Sequence, residues 1–143
     1  LVVAMACLPV SCARDSGASD AVWDAYRRVA AIAPTAAVDG KYADYARRIS
    51  EASTAVAACR PAGEEEQAIL SHLSRALSAY AAAAQAWETK AAECEDCAWR
   101  KFRDGHRTLG LPLGATADDA MRLLWDSAAR ELAAAREGLD ASD

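Results

Sequence analysis

Apolar positions recur every three to four residues over most of this chain, and the recurrence predicts four amphipathic helices. The first spans about Asp20 to Ala33, capped by Ser19 or Asp20. Val22, Trp23, Tyr26, Val29 and Ala30 form its inner stripe, and Pro34 stops it. The second spans about Ala36 to Cys59, with Gly40 as a soft spot near its start. Tyr42, Tyr45, Ala46, Ile49, Ala52, Val56 and Cys59 lie on one side, and Pro61 and Gly63 mark the turn after it. The third is the longest, about Glu64 to Asp104, and opens on three glutamates where a helix N-terminus favours negative charge. Its stripe runs from Ile69, Leu70 and Leu73 through Leu77, Tyr80, Ala84 and Trp87 to Cys94, and Trp99 and Phe102 extend it. A straight helix of that length would be about 60 Å long, which leaves room for a break near Glu93 to Cys97.

An irregular connector, Gly105 to Ala115, then carries Gly110, Pro112 and Gly114 with Leu109, Leu111 and Leu113 alternating among them. A fourth helix is predicted from about Ala117 to Gly138. Thr116 is its cap, Asp119 stands three positions on, and Met121, Leu124, Trp125, Ala128, Leu132, Ala135 and Leu139 form its stripe. Gly138 is read as its C-terminal stop. No segment alternates over strand length with β-branched enrichment. The expected fold is all-α: an up-down antiparallel bundle of three to four helices with one long central helix.

Composition sharpens this picture in two ways. The 143 residues fit one domain. About a quarter are Ala, well above average usage, while only 6% are aromatic. Closely approaching helices must therefore be pinned by few large side chains. The net charge of −5 argues against a nucleic-acid partner. The local basic cluster Arg100, Lys101, Arg103 and Arg107 reads as a solvated helix end complementing the dipole.

The division expected is a leader and flexible tether over residues 1–19 and a helical domain over 20–143. Leu1 to Val10 is apolar but too short to span a bilayer. It resembles the apolar part of a secretory signal peptide whose charged start is missing. The junction Leu8-Pro9-Val10-Ser11-Cys12 resembles a bacterial lipoprotein processing site, in which a small residue precedes the Cys that becomes lipidated. Pro9 stands where an aliphatic residue is usual. That resemblance implies lipidation of Cys12 and a lipid-anchored protein of the periplasm or cell envelope. Cleavage after Ala4-Met5-Ala6 with simple secretion is the alternative, and a buried N-terminal helix turn is a third reading.

The cysteines are the most informative polar residues. Cys94-Glu95-Asp96-Cys97 is a C-x-x-C. Thiols of no function, a local disulfide, and a metal or redox site all fit the spacing. A metal site would recruit His106 from the connector and still lack a fourth ligand. A redox site requires the pair at a helix N-terminus within a βαβ pattern, and neither condition is expected here. A Cys59–Cys94 bridge is excluded by distance unless the third helix breaks. Cys12 could reach Cys59 if it carries no lipid, because antiparallel packing brings the start of the first helix near Cys59.

No catalytic set stands out. His72 lies beside the apolar stripe and reads as a core or boundary histidine. Glu93, Glu95, Asp96, Asp118 and Asp119 read as solvated positions. Gly110 to Gly114 lacks the Lys and hydroxyl of a phosphate loop, and no cofactor is implied. Trp99-Arg100-Lys101-Phe102-Arg103-Asp104 resembles the W-x-x-[FY]-R-D core of small helical, cysteine-containing periplasmic proteins, the lysozyme-inhibitor-like lipoproteins. The likeness covers six of 143 residues. Arg107 stands where that family has Cys, and the family's upstream Gln and N-terminal Cys spacing are absent, so no functional residue is transferred. The function expected is a non-enzymatic exported helical module acting through contacts with a protein partner. It would meet the membrane only through its N-terminal lipid. Trp99, Phe102, Leu109, Leu111 and Leu113 are the candidate contact surface, with packing inside the molecule as the competing account. The alternative function is a bundle holding a metal or small apolar ligand near Cys94, Cys97 and His106.

Overall fold

The computed structural model describes residues 18–33 and 41–142. The segment 1–17, with the leader, Cys7 and Cys12, lies outside the described residues, as do Pro34, Ala36 and Gly40. Five α-helices are described: α1 (Asp20–Ala30), α2 (Tyr42–Ala58), α3 (Glu64–Thr89), α4 (Glu95–Gly105) and α5 (Ala117–Ser142). A single 3₁₀ turn, Arg107–Leu109, follows α4. There is no strand among the described residues.

Long-range contacts fix the helix directions. Arg48 donates to the Ala31 carbonyl while the Cys59 thiol donates to that of Ala21, so α1 and α2 run antiparallel. Tyr45 reaches Tyr80 and Tyr42 reaches Glu88, so α2 and α3 are antiparallel too. His72 pairs with Glu131 and Lys90 with Asp118, which reverses α5 against α3. The bundle is therefore up-down-up-down, built from α1, α2, α3 and α5. The most extensive helix contact is α3 on α5.

Small residues permit that contact. Ala76, Ala83, Ala86, Ala120, Ala128 and Ala135 are fully buried, interleaved with Ile69, Leu73, Leu124, Leu132 and Leu139. The structure corrects the reading of Gly138 as a helix stop. Gly138 is helical, α5 continues to Ser142, and a Cβ on Gly138 would stand 2.8 Å from Ile69 Cγ1. The glycine is there for close approach.

Few polar atoms are buried; those of Tyr45 and Glu66 are partnered across helices, whereas Arg48 Nε has no hydrogen-bond partner. The Tyr45 hydroxyl donates to the Tyr80 carbonyl at 3.0 Å and accepts from Trp125 Nε1 at 3.1 Å, which joins α2, α3 and α5. Burial pushes the Tyr45 phenol well above its ordinary range, and the Trp125 bond offsets this in part. Glu66 accepts from the Ser19 and Ala62 amides at 2.6 and 2.7 Å, which ties the start of α1 to that of α3. Those amides hold its carboxyl below the usual range. His72 is a boundary residue, as expected: Nδ1 lies 2.7 Å from Glu131 Oε2, which also accepts from Arg75 Nε at 2.9 Å. The capping pair at α5 has the geometry the spacing implied, with Thr116 N donating to Asp119 at 2.9 Å and Asp119 N to Thr116 Oγ1 at 3.2 Å.

The expected long third helix ends at Thr89, earlier than the break foreseen. The amides of Lys90, Ala91 and Ala92 each bond three residues back, a 3₁₀-type tightening that closes α3. After this corner α4 packs back on α3, with Phe102 joining the core and Trp99 resting against it.

Candidate functional site

The C-x-x-C sits at the corner where α4 begins. Cys94 is the residue before the first helical turn, its Sγ accepts from the Cys97 amide at 3.3 Å, and the two sulfurs are bonded to each other. The pair is thus at a helix N-terminus, contrary to the expectation that it lay inside a longer helix. Glu93, Glu95 and Asp96 surround it, all exposed. The sulfurs serve as a clasp on the first turn of α4.

That bond bears on the other cysteine readings. With Cys94 and Cys97 joined, neither offers a thiolate to a metal beside His106. No group of three or more His, Cys, Asp or Glu among the described residues is placed to hold one. Cys59 is a free, buried thiol that donates to the Ala21 and Ala55 carbonyls. Burial raises its pKa, with Glu66 and Asp24 adding to the rise. Its proposed partner Cys12 lies outside the described residues.

One face of α4 carries a ladder of rings. Trp99 stacks on Phe102 with centroids 5.3 Å apart, and Phe102 on His106 at 4.2 Å. Positions 99, 102 and 106 follow the helical repeat, so the rings lie one above another. Phe102 is buried, and Trp99, Leu109 and Leu111 are half-buried against the core. His106 Nδ1 donates to the Phe102 carbonyl at 3.0 Å, which closes the C-terminal turn. Four of the five residues expected as a contact surface therefore pack inward at least in part. Leu113 alone is open, at 96% exposure.

The basic residues form the neighbouring stripe. Arg100 and Arg103 repeat the spacing of Trp99 and Phe102, one position on, which turns them about 100° around the helix, and Arg107 follows in the 3₁₀ turn. Between α4 and the returning connector lies an open cleft of about 570 Å³. Trp99, Leu111 and Gly110 form its apolar wall, and Arg100, Arg103, His106 and Arg107 its basic wall. Asp96 and Asp104 also line it. Asp104 is engaged by Arg107 at 3.2 Å, whereas neither Arg100 nor Arg103 has an ion-pair partner among the described residues. Gly110 has φ of 61°, the left-handed region that lets the connector turn back over α4.

The sequence reading passed over Arg100 and Arg103 as a solvated helix end. Their shared spacing with the aromatic ladder was the available signal. The fold of the connector, which turns that stripe into a cleft wall, has no such local signature.

Comparison with family models, curated proteins and solved structures gave no match to this chain.

Proposed function

We propose that this protein is an exported, non-enzymatic helical module that works by contacting another protein through α4 and its connector. The observation that carries the reading is the cleft between them, which sets unpaired arginines beside an apolar wall on a clasped helix. Arg and aromatic residues are enriched in protein interfaces. The bundle supplies a rigid support, and the partnered polar atoms on α2, α3 and α5 serve packing. The Cys94–Cys97 bond supports export, because disulfides persist in oxidising compartments. The leader-like N-terminus supports a lipid anchor at Cys12 in the periplasm or cell envelope, with secretion as the alternative. No helix among the described residues is long and apolar enough to cross a membrane.

A photo-crosslinking residue at Lys101 or Thr108, both exposed, tests the contact in cells that carry the full native leader. A discrete adduct from these positions and none from Ser53 on α2 is expected. Equal adducts from all three, or none, would reject the interface. Intact mass of the membrane-fraction protein tests the anchor: a diacylated or triacylated chain beginning at Cys12 is the expected product, and an unmodified chain refutes it.

The second reading, a small apolar ligand, draws on the same cleft. The wall formed by Trp99 and Leu111 favours it, and the charged lining opposes it.

A further inference from the structure

Resting on that interface reading, we infer that the α4 cleft recognises an acidic, extended peptide segment that carries one apolar side chain. Three features of the cleft define this occupant. The first is charge. In a chain of net charge −5, the middle of the cleft presents Arg100 and Arg103 with no carboxylate of their own. Arg28, Arg47, Arg75 and Arg136 are each held by an acid of the bundle; Arg27, Arg48, Arg60 and Arg130 also lack an ion pair among the described residues, so Arg100 and Arg103 are marked by standing together beside the apolar wall of this cleft. A guanidinium fork is suited to bidentate capture of carboxylate.

The second feature is extent. The cleft runs from Asp96 to Leu111, alongside the whole of α4. Eleven residues of helix cover about 16 Å. An extended segment of about five residues matches that length, and a single small anion would occupy only part of it. Arg100 and Arg103 stand one turn apart on α4, about 4.5 Å along the axis, and acids on one face of an extended strand repeat every ~7 Å, a spacing that two long guanidinium side chains can span. The third feature is the wall. Trp99 and Leu111 are half-buried and leave apolar surface beside the arginines for a side chain of the segment. Asp96 marks the disulfide end as unfavourable to acid and so gives the segment a direction.

Fluorescence anisotropy of the full-length protein with a labelled Glu-rich decapeptide containing one Leu tests this. The probe with Lys in place of Glu and inorganic phosphate serve as comparisons. Binding of the acidic probe alone is expected, weakening with salt as charge contacts are screened. Arg100→Glu with Arg103→Glu should reduce it at least ~10-fold, since two charge-assisted contacts are reversed. Arg130→Glu, on an exposed stretch of α5, should leave it unchanged. Arg100 is exposed and Arg103 half-buried, and circular dichroism verifies that the variants fold. Arg100→Lys with Arg103→Lys separates fork recognition from charge alone, and substantial loss is expected. Equal binding of the two peptides, or an unaffected double reversal, overturns the inference. Displacement by phosphate at low millimolar concentration also overturns it, because the site then belongs to a small anion. If crosslinks persist at Lys101 and Thr108 while the acidic probe fails, the interface stands and only the ligand class falls. Loss of both sinks both.

Discussion

Glu66 illustrates how one side chain serves two helices. It is the third residue of α3, and it takes the amide of Ala62 from its own N-terminal turn and that of Ser19 from the start of α1. A carboxylate between two helix N-termini also meets favourable dipoles. Glu66→Gln replaces one acceptor by a donor that faces an amide. It should cost about 1–3 kcal/mol, the range for a buried group left unpaired. The pH dependence follows from the lowered carboxyl pKa. The ionised form is favoured in the folded state, so its contribution is present above the ordinary value of 4.5 and lost as pH falls through the lower folded value. Urea denaturation at pH 7 and near pH 3 should show the wild type losing more stability than Glu66→Gln over that interval. Parallel losses would refute the role. Gly138 allows an equally local test. Alanine would normally gain about 1 kcal/mol in a helix interior, but here its Cβ would meet Ile69 at 2.8 Å. Gly138→Ala is expected to destabilise the wild type and to stabilise an Ile69→Ala background. Additive effects in that cycle would show that the approach is not tight.

At the scale of elements, α4 depends on its two ends. The sulfur clasp holds the first turn and the His106 bond the last. The loop closed by Cys94 and Cys97 is very short, so the clasp adds little global stability. Cys97→Ser should instead accelerate amide exchange over residues 97–100 with little change in the melting temperature. Unchanged exchange would mean that the turn holds without the bond. The connector divides the same way. Leu111→Ala removes half-buried contact and should cost roughly 1 kcal/mol, whereas Leu113→Ala, at 96% exposure, should stay within about 0.5 kcal/mol. Calorimetry on the two variants decides between them. The apolar repeat carried the bundle helices and their inner faces well, because Ile69, Leu73, Leu124 and Leu139 occur at the period that a buried stripe demands. The α3–α4 corner was harder to place. It contains neither Gly nor Pro, and its turn depends on bonds that the Ala91 and Ala92 amides donate, with no distinctive side chain to mark them. Gly138 misled because the same residue serves a helix end or a close contact, and only the position of Ile69 separates the two. The cleft was half legible: its arginines have the spacing, but its opposite wall depends on how residues 107–111 fold back.

At the scale of the whole molecule, the bundle is held by tyrosines that must remain neutral. Tyr45 and Tyr80 lie almost wholly buried, edge to face, between α2 and α3, and Tyr42 lies half-buried one turn away, against the same Trp87 that Tyr45 meets. Burial, first among the causes, raises the phenol pKa of all three above 10.0, that of Tyr42 to about 12 with Glu88 adding to the rise. The buried Cys59 thiol is raised in the same way above 9.0. In each case the unfolded chain releases its proton at a lower pH than the folded one. Stability conferred by these groups is full below pH 9 and declines as pH rises, first through Cys59 and then, from about pH 10, through the tyrosines. The bundle is therefore expected to unfold cooperatively in alkali, with tyrosinate absorbance and helix loss appearing together. Tyr45→Phe cannot ionise, so it should flatten the decline above pH 10. At pH 7 it should itself cost about 1–3 kcal/mol, because the Trp125 indole loses its acceptor and the α2, α3 and α5 junction loses its shared hydroxyl. A variant less stable at neutral pH but less sensitive to alkali is an unusual pair of effects, and a packing role for the ring alone would produce only the plain lack of change that Phe usually brings. Tyrosinate absorbance that rises well before the helix signal falls would mean that α2 opens from α3 by itself, and would divide the bundle into two cooperative units.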